Sequence, residues 1–205
     1  MASLKEHELS LIKNYVPDEA AEDVLYFMHS YRIHLKIKRE RKAIYGDYRP
    51  AHNGKPHTIS LNATLNTYHF LITFVHELAH LIAFLNHGGK VLPHGKEWKQ
   101  IFKTLLQTFL NKKVFPEDIE MALMKSMNNL TASSCSDPEL YKVLHRYNEK
   151  KGGHLLETLS VGDTFFTQKG EAFKILLKRR TRYECVQVIT GKKYLFPGIY
   201  EVYID

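Results

Sequence analysis

Hydrophobic positions gather most densely between residues 70 and 85. Phe70-Leu71-Ile72-Thr73-Phe74 and Leu81-Ile82-Ala83-Phe84-Leu85 flank a centre, Val75 to His80, whose only charged or titratable members are His76, Glu77 and His80. A helix that is apolar on most faces is a buried one. The pattern predicts a long helix capped by Asn62 or Thr64, running to about Asn86 and ended by His87-Gly88-Gly89. Upstream, Leu4 to Val16 reads as a short helix with Leu9, Leu11, Ile12 and Val16 among its apolar positions. A second helix over Ala20 to Tyr31, capped by Asp18, has Val24, Phe27, Met28 and Tyr31 at helical spacing. Arg32 to Lys38 alternates apolar and polar, the period of a half-buried strand. Ala43 to Tyr48 and His57 to Leu61 are two further strands around a Pro/Gly/Asn-rich loop at 49–56. After a connector at 90–93, a helix opens at His94 with Trp98, Ile101, Phe102, Leu105, Leu106 and Phe109 on one stripe, and Pro116 starts another that runs to Leu130.

The pattern then changes. Thr131 to Ser136 is small and polar, Asp137 to Lys150 is helical, and Lys151-Gly152-Gly153 breaks it. His154–Thr167, Ala172–Lys178, Tyr183–Thr190 and Tyr194–Ile204 are rich in β-branched and aromatic residues, with turns at Gly162-Asp163, Lys169-Gly170 and Thr190-Gly191. The expectation is an α+β chain in three parts: helices with a small sheet over 1–130, a linker and short helix over 131–152, and a small antiparallel β subdomain over 153–205.

Composition narrows this only slightly. A chain of 205 residues suits one domain with an appendage, or two small domains. Two cysteines, Cys135 and Cys185, give no disulfide framework, which fits a reducing cytoplasm. Lys5, Glu6, His7 and Glu8 break any apolar leader, and no run of 18 apolar residues exists, so neither a signal peptide nor a membrane partner is expected. The net charge of +7 favours polyanionic partners modestly. Two stretches concentrate it: Lys36, Lys38, Arg39 and Arg41 on and after the first strand, and Lys178, Arg179, Arg180 and Arg182 beside Phe173, Tyr183 and Tyr194. Basic side chains next to aromatics can hold phosphates and stack bases, so these are the candidate nucleic-acid contacts; a solvated strand face or turn accounts for them as well.

The chemistry sits on the long helix. His76 and His80 are four apart, so both imidazoles project from one face, and two such rings can close on one Zn²⁺. Glu77 lies about 100° round the helix, out of line as a ligand but in reach of a metal-held water as general base. A catalytic zinc takes three protein ligands. His87, His94 and Glu97 lie downstream; the metzincin spacing would need Gly at 83 and His at 86, where the chain has Ala83 and Asn86. Glu97 is a weaker candidate than His94, whose His94-Gly95 step lets the backbone approach closely.

His76-Glu77-Leu78-Ala79-His80 followed by His94-Gly95-x-x-Trp98-Lys99 resembles the SprT-like metalloprotease domain, as do Gly46-Asp47-Tyr48-Arg49 and Ile59-Ser60-Leu61-Asn62 upstream. The resemblance covers residues 20 to 110. It implies a zincin-like minimal core, one zinc ion on His76, His80 and His94, Glu77 as catalytic base, and hydrolysis of a protein or peptide substrate, with no nucleotide cofactor. Eukaryotic members cleave proteins crosslinked to DNA, which makes DNA an expected partner. Many members carry a C-terminal zinc ribbon with two C-x-x-C pairs; the tail here has only Cys185, so it is read as a degenerate ribbon without that second metal.

Overall fold

The computed structural model describes residues 2–39, 41, 44–128, 137–148 and 153–204. The expected linker at 131–136, with Cys135, and the break at 151–152 lie outside them. The chain divides into two compact units, 1–148 and 149–205, and is α+β.

The first unit contains α1 (Ala2–Lys13), α2 (Asp18–Ser30), β1 (Ile33–Lys38), β2 (Gly46–Arg49), β3 (His57–Asn62), α3 (Thr67–His87), α4 (Lys96–Asn111), α5 (Glu117–Asn128) and α6 (Pro138–His145). Its sheet has the order β1-β3-β2, with β1 parallel to β3 and β2 antiparallel to it. The helix α3 is the centre of the core. It packs on α4, β2 and β3, and its buried residues run almost unbroken from His69 to Leu81. That is the burial its all-round apolar sequence requires. By length and hydropathy Thr67–Lys90 would also pass as a membrane span, which run length alone does not reveal; 72% of its most apolar window is buried inside the protein.

The start of α3 corrects the sequence reading. Its cap is Asn66, whose side chain accepts the His69 N–H. Asn62 is instead the last residue of β3, opposite Lys38, with its amide donating to the carbonyls of Arg41 and Ile44. Strand pairing had a prior claim on Asn62, so the helix begins one turn later. Likewise Pro17, not Asp18, precedes α2, and Asp18 is its first residue. The far end is as expected: Gly88, at φ 62°, turns its N–H back to the Phe84 carbonyl.

The second unit holds β4 (His154–Leu155), β5 (Thr164–Phe166), β6 (Ala172–Lys178), β7 (Arg182–Gln187), β8 (Lys193–Pro197) and β9 (Glu201–Val202). Strands β5-β6-β7-β8 form an antiparallel meander, and β4 pairs with β9. Its small core is Leu156, Phe165, Phe173, Ile175, Tyr183, Cys185 and Val202. The expected final strand from Tyr194 is split by a turn in which the Tyr200 N–H meets the Pro197 carbonyl.

Candidate metal centre

One turn of α3 sets His76 and His80 side by side, with their Nε2 atoms 3.2 Å apart. The third ring comes from the connector that follows a short 3-10 turn at Gly88–Lys90. There the Gly95 N–H closes on the Leu92 carbonyl, and His94 takes a left-handed conformation at φ 61°. Histidine tolerates that region better than most side chains, though at some strain. The result brings His94 Nε2 to 3.1 Å from both His76 Nε2 and His80 Nε2. Gly95 itself lies at φ −68°, so close approach rather than left-handed backbone explains it: a Cβ there would meet the Leu92 oxygen at 2.9 Å.

Three ring nitrogens in mutual contact need something between them. Burial holds the His76 ring neutral, with its pKa pushed down to about 3, aided by its two neighbours; His80 is pushed down to about 4, and His94 is lowered too. A neutral imidazole carries one N–H and one lone pair, so one triangle of such atoms cannot satisfy every edge. A tetrahedral zinc with Zn–N of about 2.0–2.1 Å would set its nitrogens about 3.3–3.4 Å apart, close to what is found. Among the described residues this is the group of His, Cys, Asp or Glu side chains that could hold a metal, and Glu97 is not part of it.

Glu77 is also buried, at 7% exposure. It faces β2. Gly46 comes so close that a Cβ would sit 3.0 Å from Glu77 Oε1, and the Tyr48 N–H donates to the carboxylate. Burial pushes the Glu77 pKa up to about 8; the charge of Asp47 adds to the rise, while the Tyr48 N–H and Arg41 oppose it. Arg41 is drawn inward here. Its Nη1 pairs with Asp47, its Nε donates to Asn62 Oδ1 at 2.9 Å, and its Nη2 to the Ser60 carbonyl at 3.1 Å. Arg41 thus tethers the segment before β2 to β3, unlike the exposed Lys36, Lys38 and Arg39 with which the sequence groups it.

Behind the three rings lies Trp98, from the first turn of α4. Its ring centroid is 4.7 Å from that of His76, 5.2 Å from His80 and 4.7 Å from His94, and it stacks on Phe102 at 5.0 Å. The Trp98 Nε1–H is buried without an acceptor among the described residues, a penalty of about 1–3 kcal/mol.

The other expected contacts are not gathered at this site. Lys36, Lys38 and Arg39 are exposed, the first two alternating along β1 with Leu35 and Ile37, which pack toward the core. Arg180 and Arg182 are exposed in the second unit. Arg179 is engaged: its Nε and Nη2 both reach Glu184, whose other oxygen is 3.0 Å from Lys193, and these two donors hold the Glu184 carboxyl below its ordinary range. His57 accepts from the Ala51 N–H at Nδ1, and that nitrogen lies 2.9 Å from the Tyr48 hydroxyl. Sequence reasoning saw Gly46-Asp47-Tyr48 and Trp98 as part of a motif without foreseeing the contact of β2 with Glu77 or of Trp98 with the three rings; the antiparallel pairing that carries β2 past Glu77 has no periodic signal of its own.

Comparison with known proteins gives the family of the first unit. Residues 19–129 match the model of the SprT-like family. Protein SprT of Proteus mirabilis (strain HI4320) is 36% identical over 100 residues, which is 46% of this chain and 56% of that protein. The chain therefore matches little more than half the length of that relative. No solved structure gives a significant match.

Proposed function

Because the chain belongs to the SprT-like family, we propose that it is a zinc-dependent metallopeptidase. The observation that carries this is the triangle of Nε2 atoms at 3.1–3.2 Å, two of them from the helix that also presents Glu77 and the third from the connector after it. His76, His80 and His94 hold the ion. When bound, zinc lowers the pKa of a water toward neutrality and polarises a carbonyl. Glu77 takes the proton of the attacking water and returns it to the leaving amine. The Tyr48 N–H fixes the carboxylate, and Asp47, held by Arg41, lies close enough to tune its charge. The Tyr48 hydroxyl pairs with His57 Nδ1.

Two measurements test the assignment. Metal analysis should find one zinc per wild-type chain and a clear deficit in His94→Ala. Glu77→Gln should retain that zinc and lose cleavage of an unfolded protein substrate by about two to four orders of magnitude. Normal turnover by Glu77→Gln would remove this residue from the mechanism.

The exposed Lys36, Lys38 and Arg39 on one unit and Arg180 and Arg182 on the other support a second layer: action on proteins associated with or crosslinked to DNA. Adding single-stranded DNA should then raise cleavage, with an effect that fades as salt rises. Salt-dependent DNA binding with no proteolysis under any condition would favour a binding module whose zinc is structural.

A further inference from the structure

We propose that Trp98 is the positioning residue of this centre: its indole holds the three imidazoles at ion-binding spacing and favours the loaded state over the empty one. The inference rests on the reading of His76, His80 and His94 as ligands and adds to it a determinant of metal affinity.

Three observations converge on it. First, the ring meets all three histidines, edge-on or tilted, at 4.7 to 5.2 Å between centroids, whereas Phe102 meets only His76 among them, at 5.9 Å. His76 and His80 already share a helix; His94 does not. Trp98 is the first buried residue after His94, on the opening turn of α4, so it decides where the connector's ring comes to rest. Second, the indole cannot drift. It is 1% exposed and lies nearly parallel to Phe102, at 12°. Third, the indole carries a liability that a phenyl ring would not. Its Nε1–H is buried with no acceptor among the described residues, and a phenylalanine could stack on Phe102 without burying a donor. A side chain that weakens the fold where a simpler one would serve points to a task other than stability. What indole adds is a wider and more electron-rich face, the best of the aromatic partners for positive charge. Metal-held imidazoles become more positive, so the interaction strengthens on loading.

The test compares zinc affinity, by competition with a chromophoric chelator, with the unfolding of the metal-free full chain followed by circular dichroism. Trp98→Phe should bind zinc about tenfold more weakly, in the range of residues that support metal ligands, with metal-free stability equal to or above the wild type. Phe109→Leu is the control: it sits buried on the same helix with no ring contact to the three histidines, and should lower stability while leaving affinity unchanged. Trp98→Leu should bind more weakly still; if it does not fold, Trp98→Phe alone decides. Wild-type affinity in Trp98→Phe overturns the proposal, and so does a loss of affinity that merely tracks a loss of metal-free stability. A wild-type chain that takes up no stoichiometric zinc is a different failure: it removes the metal centre itself.

Discussion

Gly46 acts by having no side chain. A Cβ there would lie 2.8 Å from Leu61 Cδ2 and from Thr73 Cγ2, and 3.0 Å from Glu77 Oε1. Leu61 and Thr73 are buried and cannot swing into solvent. Gly46→Ala should therefore destabilise the protein by about 1–3 kcal/mol, the scale of overpacking a core, measured by denaturant unfolding. It should also displace the carboxylate, so cleavage should fall by more than the folded fraction does while zinc content holds. An alanine variant with normal cleavage would show that the β2 contact does not set Glu77. His69 is the other informative single residue. It is buried against the rings of Tyr45 and Tyr141, with no partner for its Nε2 among the described residues, and burial pushes its pKa down to about 4 from 6.5. The unfolded chain accepts a proton near 6.5 and the folded one only near 4. Between those values the unfolded state binds more protons, so stability falls as pH drops through the window, by at most about 1.4 kcal/mol per pH unit from this group, and is level above it. The stability difference between wild type and His69→Phe should slope over pH 6.5 to 4 in this sense; a flat difference would mean that the ring is hydrated or partnered in solution. Nothing in the sequence around residue 69 announces this, because burial of one ring is a property of the whole core.

Among the elements, α3 was legible and its start was not. Its apolar flanks and the four-residue histidine spacing are local, so the pattern alone yields the helix, the burial and two of the three rings. The pattern offers Asn62 or Thr64 as the cap, yet the cap is Asn66, because β3 uses Asn62 in its pairing with β1. The same limit applies to β2, which begins at Gly46, leaving Ile44 and Tyr45 outside it while Ala43 lies outside the described residues, and whose place beside Glu77 follows only from its pairing with β3. Asn66 does more than cap. Its Nδ2 donates to the Leu144 carbonyl at 2.9 Å and to Asn148 Oδ1 at 2.7 Å, joining the start of α3 to the end of α6. Asn66→Ala should cost about 2 kcal/mol, combining a lost cap with lost tertiary bonds. Asn66→Asp should recover the cap and only part of that loss. Equal melting of the alanine variant and the wild type would mean that another group takes over the orphan N–H.

On the scale of the whole molecule, the candidate metal ligands, Glu77, Trp98 and the β2 contact all belong to the unit ending at Asn148, and so does α6. That unit has its own extended core, whereas the second unit has a core of seven residues. A fragment of residues 1–148 should therefore fold cooperatively and take up one zinc ion, as judged by circular dichroism and metal analysis. An unfolded fragment would show that the first unit depends on the rest of the chain. The composition of the tail foretold its strands, since β-branched and aromatic runs between glycine turns are local signals, but not the commitment of Arg179 to Glu184, which depends on a hairpin bringing the two together. One more property follows from the lone tryptophan of this chain. Excited at the red edge of indole absorption, where tyrosine is silent, the unlabelled protein emits from a single known point that touches all three imidazoles, and the tail, which has tyrosines but no tryptophan, contributes none of it. Filling, stripping or melting of the centre can thus be watched optically, in a mixture or in real time, without attaching a dye.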